Sequence, residues 1–561
     1  MAEPSERAKQ IIAIGDGLFS KRMSMETLWQ DIAWHFYPER ADFTTIRSPG
    51  QEFADHLMTS YPVMLRRDLA NSFEAMLRPS GREWFELSTG REEIDEQDDV
   101  AAWLDRAKGI VRRAIYQKRA KFARTMKQFD HDFATFGNAV ITVEPHPSGT
   151  PGVLFQDWHL RDVAWGEGAN RDIEIIARRT KMTARGLISL FKDKVADEVK
   201  KAAERDPYCE FECYSIVCPA EVWDYSPSGK VETKRAAARR KEAFPWMSLY
   251  VDRAHNHVMS EVPIRRNPYV IPRWQLTSQS VYAYSPATIC GLPDARLIQS
   301  MTRTMLEASE KAVDPPLVAQ GEALRGGVQL FAGGITYVDP DYDERTGEAL
   351  RPLFNTQAFE MPENTYERQL ALLKEVFYLN KLTLPETGDM TAYEVSKRVE
   401  EYVRAALPLL GPVGDEHAMV VDKTLDIALE NRAFGPDDQI PEALRGRDIE
   451  VATKSPLQDA LDELKATKFQ LGLQTVVGPA MQIDPTAAGN VDTRRTVRDS
   501  LRGIGWDEDW LVTEDEMDAA EAKANEEAAL RKTAEMANAG AATVTNISDA
   551  AMAAKQAGIA Q

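Results

Sequence analysis

Long apolar runs are missing from this 561-residue sequence. None approaches the roughly 18–20 residues that a membrane helix requires. The opening MAEPSERAKQ also lacks the apolar stretch of a secretory signal, so the chain is expected to stay in the cytosol where it is made, with no membrane partner. Cysteine is scarce as well. Cys209, Cys213, Cys218 and Cys290 are the four present, too few and too unevenly spread for a disulfide framework, so free thiols are expected. Positive charge is in deficit, with a formal net charge of -20. That argues against a protein gripping DNA through a broad basic face, because such binding draws its energy from neutralising phosphates with Lys and Arg. An acidic surface can still let DNA pass without holding it.

Catalytic signatures are missing too. There is no GxxxxGK[ST] phosphate loop, no HExxH zinc helix, no GxSxG nucleophile elbow and no paired CxxC. Cys209, Cys213 and Cys218 with His255 and His257 contain the right atoms for a metal. Their CxxxCxxxxC spacing is not a standard zinc pattern, however, and strand-borne thiols are commonly buried. Residues 339–350, DPDYDERTGEAL, begin like a calcium loop with Asp339, Asp341 and Asp343. Glu344 then stands where the loop needs Gly and Leu350 where it needs Glu, so the stretch reads as a turn. The 88 acidic residues offer accidental carboxylate pairs but no recognisably spaced two-metal set. Neither an enzyme nor a bound cofactor is expected.

What is present is an ordinary folded composition, 43% hydrophobic and 28% charged, in a chain long enough for two or more packed units. Leu28, Ile32 and Phe36 recur at steps of four and predict a helix over 24–37 ended by Pro38. Further helices are expected over 57–77 and 91–115, the latter with acidic residues before basic ones as the helix dipole favours. Between 139 and 275 the pattern becomes short β-rich runs (AVITVEP, GVLFQDW, IEIIARR, YSIVCPAEVW, SLYVDRAHNHVM), interrupted by one helix over 182–206 that opens on a Thr cap.

A stripe of Leu297, Met301 and Met305 predicts a helical rod over 292–313. It stops sharply at Asp314-Pro315-Pro316, because proline cannot continue a helix and pushes its predecessor out of the helical region. Small strands and turns over 317–356 separate it from a second rod starting near Pro362, with Asn364 and Glu367 as a capping pair and Leu370, Leu373 and Phe377 on one face. Thr391 and Glu394 form a capping box that opens a third long helix, interrupted at Gly411-Pro412 and followed by a helix over 416–432. Residues 454–535 read as acidic helix, and the last 25 or so as a mobile tail. The chain is thus α+β and predominantly helical, with two rods flanking a compact insert.

Three stretches carry a resemblance. LRPSGREWFELS (77–88), the long run RNPYVIPRWQLTSQSVYAYSPATICGLPDARLIQSMTRTMLEASEKAVDPPLVA (266–319) and MTAYEV with LGPVGDEHA downstream place their landmarks in the order found in the head-to-tail connector, or portal, proteins of short-tailed bacteriophages. Ala283-Tyr284 before Ser285-Pro286 departs from the Gly-Arg pair of many members. The resemblance implies a ring of about twelve subunits at one capsid vertex, assembled in the host cytoplasm and carried in the virion. Through it duplex DNA is packaged and ejected without sequence specificity. The implied partners are other copies of the chain, the terminase large subunit, tail adaptor and tail tube proteins, and the major capsid and scaffolding proteins.

The same resemblance assigns a wing to 1–285, stem helices to 286–313 and 361–381, a clip to 314–360 and a tunnel loop to 382–390. A long kinked helix returns to the wing over 391–453, a crown spans 454–535, and a tail spans 536–561. It implies channel residues Lys311, Lys381, Thr383, Leu384, Glu386, Thr387 and Arg398, and clip docking residues Glu322, Arg325 and Gln329. Conditional on the ring, many copies of an acidic chain make a lumen that repels phosphates, with isolated basic side chains touching the backbone. A DNA-packaging enzyme, or an adaptor without a channel at the head–tail junction, are the competing readings.

Overall fold

The computed structural model of the chain describes residues 4–313 apart from 49, 80, 82, 96, 147–151, 224–233 and 279. Beyond them it describes 317–319, 337, 350–352, 363–382, 404, 413–414, 416–436, 440–447, 449–454 and short pieces between 469 and 523. The chain divides into two compact units, residues 1–95 with 102–457, and residues 96–101 with 458–561. Of the second unit, the description covers the first turn of one helix and the π-helical turn Leu473–Val477, with scattered residues besides.

The first unit opens with α1 (Pro4–Phe36), α2 (Tyr61–Leu77), β1 (Phe85–Ser88), the single turn α3 (Glu92–Asp95), α4 (Asp98–Ile115) and α5 (Phe122–Phe136). Strands β2 (Ile141–Pro145), β3 (Val153–Asp157), β4 (Val163–Glu167) and β5 (Ile173–Thr183) follow, then α6 (Ala184–Phe191) and α7 (Asp197–Arg205). Next come β6 (Glu210–Pro219), α8 (Lys234–Ala243), β7 (Trp246–Asp252), β8 (His257–Ile264) and β9 (Tyr269–Val270). The rest is α9 (Pro286–Val313), β10 (Leu317–Ala319), β11 (Leu350–Pro352), α10 (Glu363–Val376), α11 (Leu379–Leu382), helix α12 over 416–430 and β12 (Glu450–Thr453). This is a mixed helix and sheet protein. Among the described residues no helix is long and apolar enough to cross a membrane.

Several elements differ from expectation. Helix α1 runs 33 residues, twenty further toward the N-terminus than the stripe over 24–37 predicted. Its Gly15 reads as a helix breaker in isolation, yet it is a packing device, since a Cβ there would stand 3.1 Å from the ring of Tyr214. The single helix expected over 182–206 is two, α6 and α7, separated where Lys192 takes a left-handed φ of 51°. Its predicted cap is present: the Thr183 hydroxyl accepts the Gly186 N–H at 3.2 Å.

Strands β4 to β8 form one antiparallel sheet in sequence order. Tyr214, Ile216 and Cys218 on β6 join Ala177, Leu249 and Val251 in a core that also takes Ala8 and Ile11 of α1. Cys213, on the opposite face, packs with Leu187 of α6 and Val199 of α7. With helices covering both faces, β6 is buried in successive residues and loses the alternation of a half-exposed strand. The same parity separates Cys213 from Cys218, and burial pushes their thiols up to about 12 and about 11. His255 turns to the Asp252 carboxylate at 2.7 Å and His257 to the Lys194 carbonyl at 2.8 Å. The three thiols and two imidazoles therefore serve packing and local hydrogen bonds.

Helix α5 was not legible in the sequence, and it is the hub of the helical part. Its Phe129, Asp130, Asp132, Phe133, Thr135 and Phe136 are all buried. Asp130 pairs with Arg78, the C-cap residue of α2, and with His417 Nε2 of α12 at 3.1 Å. The His417 Nδ1 faces the Val413 carbonyl at 2.6 Å. Both ring nitrogens thus face oxygen atoms. Asp132 pairs with Arg40 at 3.2 Å and accepts from Gln128. Two-stranded pairing of β1 with β12, Phe85 opposite Thr453, brings the chain after α12 back to the α2 end of the unit.

His131, between those two aspartates, plays the reverse part. Arg66 donates through Nη1 to its Nδ1 while stacking on Tyr37 at 3.9 Å, so the imidazole is a neutral acceptor. Burial, with the Arg66 cation alongside, holds its pKa down to about 4, against an ordinary 6.5. The unfolded chain takes up this proton near 6.5 and the native chain only near 4, so stability is full above that window and falls as pH drops through it. Thermal melts should show Tm declining over this range in the wild type. In His131→Gln, whose amide oxygen accepts the same hydrogen bond without titrating, the decline should be shallower; equal slopes would refute the assignment.

Candidate functional site: the α9–α10 pair and its anchorage

At its base α9 is bolted to the end of α5. Its entry is Ser285-Pro286, a cap residue followed by a proline whose fixed φ suits a first helical turn. The Ser285 hydroxyl donates to the Ala134 carbonyl at 2.6 Å and the Thr288 hydroxyl to the Thr135 carbonyl at 2.7 Å. These are carbonyls of the last turn of α5, which lack helical partners. Asn138 closes the junction, exchanging two hydrogen bonds with the Ala283 backbone at 2.7 and 3.0 Å. Gly137 between them has φ 71°, and a Cβ there would meet the Tyr284 carbonyl carbon at 2.2 Å. Only glycine combines that φ with that approach.

The helix is 28 residues long, about 42 Å at the standard rise. Pro293 lies inside it and cannot donate to the Ile289 carbonyl, a cause of local bending. Burial fades along its length. Ala287, Leu292, Ala295 and Ile298 are buried, whereas Leu297, Leu306 and Val313 are 44%, 51% and 87% exposed. Side contacts hold the lower half: Arg296 pairs with Asp31 of α1, and Gln299 accepts from the Met58 and Thr59 N–H groups at 2.7 and 3.0 Å. Beyond α9 in the chain, β10 pairs antiparallel with β11, Val318 opposite Arg351.

Helix α10 returns beside α9. Gly291 lies in close contact at this packing, because a Cβ there would lie 3.1 Å from Leu373, 3.3 Å from Phe377 and 3.5 Å from Phe36. Leu373 and Phe377 are fully buried, the latter tilted against Phe36 of α1 with ring centroids 5.4 Å apart. Farther up, Thr302 and Tyr366 share a hydrogen bond of 3.2 Å, and the Tyr61 hydroxyl donates to the Leu370 carbonyl at 3.2 Å. Burial and the neighbouring Tyr366 push the Tyr61 phenol above its ordinary pKa. The second rod is shorter than expected. Tyr378 takes a left-handed φ of 58°, ending α10 at Val376 and separating the short α11. Asn364 sits inside the first turn of α10 and is not its cap.

Of the residues proposed from the sequence for a channel, Lys311 is exposed in the last turn of α9. Lys381 falls in α11, just beyond the end of α10 that packs at Gly291. The pair is antiparallel, so these two lie at opposite ends, about 30 Å apart along the rods at the helical rise. Thr383, Leu384, Glu386, Thr387 and Arg398, like Glu322, Arg325 and Gln329, lie outside the described residues, as do most of the insert and the capping box at Thr391. Sequence reasoning missed Gly137, Gly291 and Gln299. Only Ser285-Pro286 carried a readable signal for this junction.

If Gly291 sets the spacing of the pair, Gly291→Val should drive α10 off α9. Overpacking of this kind costs about 1–3 kcal/mol. Denaturant melts should show a lower midpoint, and faster proteolysis within 363–382 than in the wild type. A variant as stable and as resistant as the wild type would show that the contact has no structural weight.

The family model for the bacteriophage head to tail connecting protein matches residues 8–512. A probable portal protein of Bordetella phage BPP-1 is 24% identical over 531 residues, covering 91% of this chain and 90% of its own. The portal protein of Salmonella phage epsilon15 is 22% identical over 505 residues, covering 86% and 84%. Among solved structures, a chain from the neck of an empty gene transfer agent particle aligns over 78% of this chain and 89% of its own, at 11% identity and a TM-score of 0.36. With one family model spanning nearly the whole sequence, from within α1 to residue 512, this chain belongs to the bacteriophage head to tail connecting protein family.

Proposed function

We propose that the protein acts as the portal of a phage head, as a ring of about twelve copies at one capsid vertex. Membership of the head to tail connecting family is the observation that carries this reading. The shape of the α9–α10 pair supports it. Each helix keeps apolar side chains in solvent, Leu297, Leu306 and Val313 on one and Leu372 on the other. In a ring such residues have neighbouring copies to pack against, since heterologous contacts repeated by rotation close into a cycle. On this reading residues 1–285 form the wing, α9 and α10 the stem, residues 314–360 the clip and 454–535 the crown. Thr383, Leu384, Glu386 and Thr387 belong to a tunnel loop over 382–390 facing the lumen, with Lys381 at the end of the second stem helix beside it, Arg398 behind it and Lys311 at the other end of the stem.

The role is structural, that of a passage in the virion, and the chemistry of passage is weak contact. A -20 chain repeated around a lumen repels phosphates, so duplex DNA is not arrested by counterion release. The clip residues Glu322, Arg325 and Gln329 are proposed to meet the terminase large subunit during packaging and tail proteins afterwards. Capsid and scaffolding proteins meet the outer face during assembly in the host. A channel-free adaptor at the same junction is the alternative reading, and an axial hole decides between them.

Native mass measurement of the purified chain should give a closed ring of about twelve copies, with a central hole in negative-stain images; a monomer under all conditions, or a solid particle, would sink the reading. Deletion of 382–389 should leave rings intact while reducing packaging or retention of DNA. Full, stable heads at normal titre would remove that loop from the mechanism.

A further inference from the structure

Acidic residues outnumber basic ones, 88 to 68, in this chain, and surface stretches commonly interleave the two signs. Residues 192–206, KDKVADEVKKAAERD, hold five of each. Residues 106–129 are built differently. Their sequence, RAKGIVRRAIYQKRAKFARTMKQF, holds nine Lys or Arg and no Asp or Glu. The stretch runs from α4 through the short turn Lys118–Ala120 into α5, and all of it is described. Lys108 and Arg112 are half-buried beside Glu83, at 2.8 and 3.9 Å. The other seven cations are exposed.

Packing gathers these charges on one outer surface. Tyr116, just past α4, and Phe122, the first residue of α5, meet edge-on at 5.3 Å, and Phe122 meets Phe155 at 5.1 Å. The Trp84 indole N–H donates to the Tyr116 hydroxyl at 3.0 Å. With the aromatic side turned inward, Lys118 and Lys121 stay in solvent. Along α5, Phe122, Met126 and Phe129 are buried, whereas Arg124 and Lys127, three residues apart, are neighbours on the opposite face. Lys121 is the N-cap residue and Arg124 lies in the first turn, where there is neither a side-chain cap nor an acidic residue. A helix start is the positive end of its dipole, so cations there destabilise the helix and an external anion would offset them. The composition of the surface indicates which anion. A protein partner meets an apolar or aromatic centre inside a charged rim. Here every exposed side chain between 117 and 127, apart from Gln117 and Ala123, is a cation, with Tyr116 at the edge. Such a surface suits phosphates, which Arg meets as a fork and Lys as a point charge.

We propose that the α4–α5 junction, through Lys118, Lys121, Arg124 and Lys127, binds the phosphate backbone of duplex DNA, at a site separate from the α9–α10 pair. The proposal rests on the reading that the protein meets duplex DNA, though not on the channel. Contacts to phosphate carry no sequence information, so binding is indifferent to base sequence. Each phosphate neutralised releases condensed counterions, so binding weakens steeply with salt.

The test uses the full chain in its native assembly, with a fluorescein-labelled 30-bp duplex of random sequence followed by anisotropy over a salt series. Lys118→Glu with Arg124→Glu is compared with a control of equal charge change, Lys192→Glu with Lys194→Glu, both exposed on the connector between α6 and α7. The junction pair should weaken binding at least about tenfold at low salt and flatten the log–log salt slope by about 2, at roughly 0.9 per lost phosphate contact. The control should change affinity less than about twofold. A carboxylate at 124 is favoured by the helix start, so the pair should melt no lower than the wild type. Lys118→Gln with Arg124→Gln, which removes charge without reversing it, should flatten the slope by the same amount and stands in if the Glu pair fails to fold. No binding by the wild type, no loss in the junction variants, or equal losses in junction and control would each overturn the proposal. Displacement of the duplex by polyglutamate of matched charge, as readily as by unlabelled duplex, would assign the surface to an acidic protein segment and overturn it too. Assembly size is measured on the same samples. The expected binding pattern without a ring counts against the portal reading alone, whereas intact rings with unaltered binding count against this proposal alone.

Discussion

One carboxylate, Asp130, determines where the helical part of the unit comes together. It lies 1% exposed between the guanidinium of Arg78 and the imidazole of His417, both also buried. These partners are separated by 52 and 287 residues along the chain. An ion taken out of water costs several kcal/mol unless its lone pairs are used, so the three groups tolerate one another only in this arrangement. Such a cluster adds little net stability compared with apolar packing of the same volume. Its value is specification, because each alternative register of α2 or α12 against α5 would strand a buried charge. Phe129 and Phe133 on the same helix stand edge-on to the His417 ring, at 5.2 and 6.3 Å, and leave it no water to escape to.

From that fixed point the geometry propagates to the α9–α10 pair. The last turn of α5 hands its free carbonyls to Ser285 and Thr288, so the direction in which α9 leaves the body is inherited from α5. Gly291 then sets how near α10 comes, and Phe36 at the end of α1 supplies the surface on which Phe377 lands. Rigid at the base and solvated toward the tip, the pair is arranged to receive contacts it cannot make alone. Leu306 and Val313 are core-type residues left in solvent by a single copy, and the proposed ring would resolve that mismatch.

Charge is organised on the same logic. The body spends its arginines on partners: Arg22, wholly buried, donates to the carbonyls of Leu160, Arg161 and Val163 and to Glu26, and burial lowers its pKa. Such a side chain staples α1 to the start of β4 and is unavailable to DNA.

Much of this was legible in the sequence. Periodicity located the rod ending at Val313, the β-rich middle and the Thr183 cap, because apolar spacing and capping chemistry are local and act before tertiary contacts exist. Ordered landmarks such as the Ser285-Pro286 entry identified the family. Other features were not legible. Asp130-His131-Asp132 reads as a solvated stretch, and only partners brought from α2, α12 and the turn after α1 make its burial possible. Gly15 and Gly137 read as breaks, and only the Tyr214 ring and the Tyr284 backbone turn them into requirements. The chain's own order therefore determined its elements and its kinship. Which charges lie inside, and where two distant helices touch, was decided by the fold, because burial of a polar group is favourable only once groups far apart in sequence meet around it.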